Sequence, residues 1–150
     1  MITPLEELYQ EVILDHCRRP RNHAALAGAT GRATGHNPIC GDQVTVYVTV
    51  EDGRVTDVGF EGAGCAISQA AASLMSVSVK GKLVAEVQAL REAFHEMITG
   101  HEQPADLKAQ LGRLCAFSGV AAFPLRVKCA SLPWHALEAA LAQGGAVSTE

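Results

Sequence analysis

Residues 43–61, "QVTVYVTVEDGRVTDVGFE", decide the fold. From Gln43 to Val50 the apolar side chains fall on every second position: Val44, Val46, Val48 and Val50 share one face, while Thr45, Tyr47 and Thr49 share the other. A period of two is the signature of a strand with one buried face. Asp52-Gly53 is a hairpin turn pair, and Arg54–Glu61 returns as a second strand carrying Val55 and Phe60. The first firm element is therefore an antiparallel hairpin that needs a partner layer over its valine face.

The flanking sequence supplies helices for that layer. Upstream, Thr3-Pro4-Leu5-Glu6 reads as a helix start with Thr at the N-cap, Pro at the first helical position and Glu closing a capping box. Leu5, Leu8, Tyr9, Val12, Ile13 and Cys17 recur at helical spacing until Pro20. Residues 20–42, rich in Gly, Pro, Asn and Ala, read as loop with a short strand near Gly31–Gly35. Downstream, Ala66–Val79 reads as a helix of small and apolar residues. A second helix over 83–99 has Leu83, Val87, Leu90, Phe94, Met97 and Ile98 as its buried stripe, and Pro104–Leu111 gives a short third. Pro124 interrupts the next apolar stretch. Ser131–Ala142 is the expected last helix, packed through Phe123, Trp134 and Leu137, with Trp134 also a candidate partner contact. The order predicts an α+β domain: a small antiparallel sheet of about three strands with helices packed on it. One domain over 1–150 is expected, with 144–150 as a flexible tail.

Composition narrows the functions. The formal net charge is −4, and the 12 Lys and Arg residues are scattered without a basic stripe, so nucleic acid is not an expected partner. The acidic, amphipathic N-terminus does not resemble a secretory signal, and no apolar run approaches membrane-spanning length. A cytoplasmic protein is expected. Its 5 cysteines cannot all pair, and no CxxC is present, so metal binding, reactivity or burial is expected in place of disulfides.

Three cysteines lie at element ends. Cys40 sits in a Pro/Gly loop before the valine strand, Cys65 at a strand-to-helix junction after Gly64, and Cys129 after a proline-broken segment, where it opens the last helix. A helix N-terminus lowers a thiol's pKa, which favours thiolate at Cys65 and Cys129. Asp42, two residues from Cys40, adds a carboxylate, and three thiolates with one carboxylate make a complete tetrahedral set for zinc. Three thiolates and Asp42 carry −4, a divalent ion leaves −2, and Arg126 and Lys128 beside Cys129 supply two positive charges. Those cations suit either an anionic sulfur species or a hydrogen bond to Asp42. Cys17 and Cys115 continue apolar patterns and read as core. His36 reads as a solvated loop histidine, with a ligand or base role as the alternative.

The segments "NPICGD", "FEGAGCAIS", "VKGK" and "FPLRVKCASLPWHAL" resemble the U-type iron–sulfur assembly proteins, the IscU and NifU N-terminal family, and within it the SufU branch. The resemblance covers roughly residues 5–142. It implies an α+β fold with a site of three cysteines and one aspartate, matched here by Cys40, Asp42, Cys65 and Cys129. Two departures from the IscU pattern point to SufU: Lys128 stands where IscU-type scaffolds carry a histidine, and the chain between the second and third cysteines is longer. The resemblance implies a zinc-bearing acceptor of persulfide sulfur from a pyridoxal-phosphate cysteine desulfurase of the SufS type, serving downstream iron–sulfur scaffolds. A partner group displaces one cysteine from zinc in that family. The freed thiolate, by resemblance Cys40, attacks the persulfide, with Arg126 in support. The chain is thus expected to act as a sulfurtransferase-like relay and not as a stand-alone enzyme. The alternatives are a scaffold holding iron or a transient cluster, a structural zinc domain, and, more distantly, a cysteine hydrolase.

Overall fold

The valine hairpin is the centre of the molecule. The computed structural model describes residues 3–142 and the backbone of Gly145–Ser148. Strand β2 (Asp42–Glu51) pairs antiparallel with β3 (Arg54–Ala63) through a turn in which Asp52 and Gly53 both take positive φ, 52° and 75°. Paired left-handed residues match the strands' own twist, which is why Asp-Gly closes this hairpin. Strand β1 (Gly31–Asn37) pairs antiparallel with the other side of β2, from Gly31 opposite Val48 to Asn37 opposite Asp42. The expected three antiparallel strands are therefore present, and β1 runs two residues past its predicted end.

A fourth strand, β4 (Gly145–Ser148), pairs parallel with β1, giving the order β3-β2-β1-β4. The tail predicted over 144–150 is thus in part strand, while 144, 149 and 150 lie outside the described residues. This strand covers the outer edge of β1 along Ala33–His36, an edge that would otherwise be unpaired.

Among the described residues five helices complete the fold: α1 (Pro4–Arg18), α2 (Ala66–Val79), α3 (Val84–Ile98), α4 (Ala105–Leu111) and α5 (Pro124–Leu141), with a 3-10 segment over Gly112–Ala122. The Thr3 hydroxyl accepts from the Glu6 amide at 3.1 Å, the expected N-cap. Helix α5 lies across β1 and β2, and α2 packs against both α5 and β3. Val44, Val46, Val48 and Phe60 are fully buried beneath them, with Leu74 and Met75 of α2 and Leu132 and Leu137 of α5. Phe94 of α3 stacks on Trp134 at 5.1 Å and meets Phe117 edge-on at 5.9 Å, closing the far side of the core. Among the described residues no helix is long and apolar enough to cross a membrane.

Three expectations change. Helix α5 starts at Pro124, seven residues before the predicted Ser131, because proline at the first helical position lacks only an amide that has no helical partner there. The α1 stripe is buried only toward its C-terminal half: Val12, Ile13 and Cys17 pack on the core, whereas Leu5 and Leu8 are 55% and 57% exposed. Leu83 and Phe123 are exposed as well, each standing at the N-cap of its helix where no layer covers it.

Candidate metal centre

The site forms where the sheet end, the start of α2 and the second turn of α5 meet. Asp42 opens β2 with the same parity as Val44, so its side chain enters the face covered by helices and is 2% exposed. Cys40 lies in the turn between β1 and β2, beside Gly41 at φ 70°, and is half-buried. Cys129 is fully buried on α5. One donor atom each from Cys40, Asp42 and Cys129 lie within 4.8 Å of one another. Cys65 caps α2 and approaches from the side, its Sγ 3.9 Å from Asp42 Oδ2.

Asp42 is held from two directions. Its Oδ1 accepts from the Cys65 backbone amide at 2.7 Å, and its Oδ2 accepts from Asn37 Nδ2 at 3.4 Å. That amide belongs to the α2 N-terminus, whose dipole favours a negative charge. Gly64 makes the approach possible: a Cβ there would collide with Asp42 Oδ1 and stand 2.8 Å from Ser68 Oγ. Asn37 was not singled out in the sequence. Its signal was parity, since Gly31, Ala33, Gly35 and Asn37 all fall on the buried face of β1.

Cys129 departs from expectation. It sits in the second turn of α5 and not at the helix start, so no N-terminal amides favour its thiolate. Burial, reinforced by Asp42, Cys40 and Cys65, pushes its thiol far above the ordinary range. Pro133, four residues on, has no amide to offer the Cys129 carbonyl. Arg126 is exposed and Lys128 half-buried, and among the described residues neither forms an ion pair, so of the two alternatives for these cations the bond to Asp42 is not made. His36 is exposed on β1, and Cys17 and Cys115 are half-buried against the core, away from the cluster.

A metal ion suits this arrangement on physical grounds. Asp42 is a buried carboxylate that no Lys, Arg or His reaches among the described residues, and buried charges are stable only when paired. The same cluster that opposes thiolate formation at Cys129 in isolation stabilises it around a cation. The donor set of sulfur and carboxylate can bind a metal.

Comparison with known proteins agrees with the geometry. The model of the family described as "NifU-like N terminal domain" matches residues 8–142. The chain is 39% identical over 140 residues to the "Iron-sulfur cluster assembly scaffold protein IscU" of Streptococcus pyogenes serotype M1, covering 93% of this chain and 86% of that one. It is equally, 39%, identical over 139 residues to the "Zinc-dependent sulfurtransferase SufU" of Bacillus subtilis, covering 93% and 92%. A crystal structure of a putative SUF-system scaffold from Fervidobacterium islandicum superposes with a TM-score of 0.82 at 36% identity, covering 91% of this chain and 98% of that one. The chain belongs to the NifU-like N-terminal domain family, the iron–sulfur cluster assembly family that includes IscU and SufU. Overall identity to the two relatives is the same, so the distinction between their roles rests on the site itself.

Proposed function

We propose that the protein is a zinc-dependent sulfur acceptor in iron–sulfur cluster assembly, taking persulfide sulfur from a pyridoxal-phosphate cysteine desulfurase of the SufS type and relaying it to downstream scaffold proteins in the cytoplasm. The proposed zinc ligands are Cys40, Asp42, Cys65 and Cys129. The observation that carries this reading is the unequal burial of the donors. Asp42 and Cys129 are sealed in the core, whereas Cys40 and Cys65 are half-buried, and of these two Cys40 stands in a turn while Cys65 caps a helix. Lys128 supports the same reading, because no imidazole precedes Cys129 to serve as a further ligand.

Bound zinc supplies one thing here: it keeps the thiols deprotonated and shielded until a partner docks. The remaining chemistry belongs to Cys40. Its thiolate attacks the terminal sulfur of the donor persulfide. A new S–S bond forms on Cys40, the donor's S–S bond breaks, and the donor cysteine leaves as thiolate with the electron pair, so no external oxidant is required. Arg126, exposed one turn before Cys129, is assigned the supporting role of attracting the anionic persulfide.

A second reading, a scaffold for a transient cluster, stands beside it because the chain is as similar to the streptococcal scaffold protein as to the sulfurtransferase. Desulfurase turnover measured with wild type, with Cys40→Ala and after zinc removal separates the two. The acceptor reading expects stimulation by wild type alone. Stimulation that survives Cys40→Ala, or a coloured iron–sulfide species on the purified protein, favours the scaffold.

A further inference from the structure

Asn37 is completely buried, and its contacts are unusual for a core carboxamide. Nδ2 lies 3.4 Å from Asp42 Oδ2 and 3.6 Å from Cys129 Sγ, so the amide's two hydrogens face two acceptors. Oδ1 is buried without a hydrogen-bond partner. The reverse orientation would aim a carbonyl oxygen at a carboxylate and a sulfur, which is worse. An unpartnered buried acceptor is costly and is not expected where the side chain only fills space. The residue therefore earns its place through its N–H groups, which point at the two most buried donors of the metal centre.

We infer that Asn37 is a positioning residue: it clamps Asp42 and Cys129 as the stationary half of the site, leaving Cys40 as the ligand free to depart. This inference rests on the metal-centred reading above. Asn37 and Asp42 are directly opposed at the turn end of the β1–β2 hairpin, so one side chain ties both strands to α5. Asn37 makes no hydrogen bond to Cys40, which sits in the intervening turn. The clamp thus divides the donors into a fully buried, held pair and the half-buried Cys40 and Cys65, of which Cys40 stands in a turn. Hydrogen bonds to a ligand's donor atom fix its orientation and tune its electron density.

The test uses the full chain, with wild type, Asn37→Ala and the isosteric Asn37→Asp. Zinc affinity is measured by competition with a chromophoric chelator, and cobalt(II) is substituted to read the thiolate-to-metal charge-transfer band. Both variants are expected to bind zinc about 10–100-fold more weakly and to shift the cobalt band, because the Cys129 sulfur has lost its N–H donor. Melting of the metal-free proteins is the control for a merely structural role. A variant with a lower metal-free melting temperature but wild-type zinc affinity and cobalt band overturns the inference. Should Asn37→Ala fail to fold, Asn37→Asp carries the same readings. A wild type that shows no thiolate-bound cobalt overturns the metal-centred reading instead, so the two failures are distinct.

Discussion

Gly64 shows how much a single missing carbon can decide. Its bare Cα lets the Asp42 carboxylate reach the α2 N-terminus, and a methyl group there would occupy that space. Gly64→Ala is expected to weaken zinc binding about tenfold or more, as displaced ligands do, with circular dichroism near wild type. Chelator competition checks it, and unchanged affinity would show that Asp42 is not a ligand. His16 offers a test remote from the site. It is 3% exposed, and Nδ1 lies 2.7 Å from Ser73 Oγ. Burial, then the positive charges of Arg21 and Arg113, pull its pKa below the ordinary 6.5, against the opposing pull of Asp15. A depressed histidine pKa means that the unfolded chain binds the proton more readily. The stability it contributes is fully present above pH 6.5 and is lost as pH falls through that value toward the folded pKa. Urea midpoints across this window should drop more steeply for wild type than for His16→Gln, and parallel curves would exclude the effect. At this scale the sequence was informative about Cys40, Asp42 and Cys65, because turn glycines and a helix start mark them. For Asn37 it offered only strand parity, because its role depends on a contact with Cys129, 92 positions away.

Periodicity read the elements well where burial is one-sided. Strand β2 follows its valine alternation, and α2 spans Ala66–Val79 as predicted. It failed where tertiary context sets the outcome. Pro124 read as a break but starts α5, and Pro133 lies inside that helix, since the surrounding core outweighs one lost backbone bond. The leucines of α1 promised a buried stripe, but Leu5 and Leu8 stay exposed while Val12, Ile13 and Cys17 pack on the core. The misplaced start of α5 had a chemical consequence: it put Cys129 at a helix N-terminus and so suggested a lowered thiol pKa, where burial raises it. Helix α3 is anchored by Phe94 between Trp134 and Phe117. Phe94→Ala is expected to destabilise the protein by about 3–5 kcal/mol, the usual cost of emptying a large aromatic site. Equilibrium urea unfolding reads this directly, and a loss below about 1 kcal/mol would mean that α3 is not part of the cooperative core.

For the whole molecule, the sheet fixes Cys40 and Asp42, α2 fixes Cys65, and α5 brings Cys129 across to them. The candidate metal centre therefore joins three parts of the fold that the chain itself connects only distantly. Metal bound to the folded state alone stabilises it by about 2.7 kcal/mol when free metal exceeds the dissociation constant 100-fold. Chelation is accordingly expected to lower the melting temperature of wild type, and Asp42→Ala should lose most of that difference. Complete unfolding on chelation would instead indicate a purely structural zinc domain. The antiparallel α+β architecture was legible from the hairpin and its flanking helices, whereas β4 was not, because Gly145–Ser148 has no alternation to announce it. The central claim is that Cys40 accepts sulfur, and peptide mass spectrometry tests it most directly. The zinc-loaded protein is incubated with a SufS-type desulfurase and cysteine, and the cysteine that gains a sulfur atom is located. The account predicts one added sulfur on Cys40, absent after chelation and in Cys40→Ala. Sulfur retained on another cysteine, or none on the zinc-loaded protein, would contradict it.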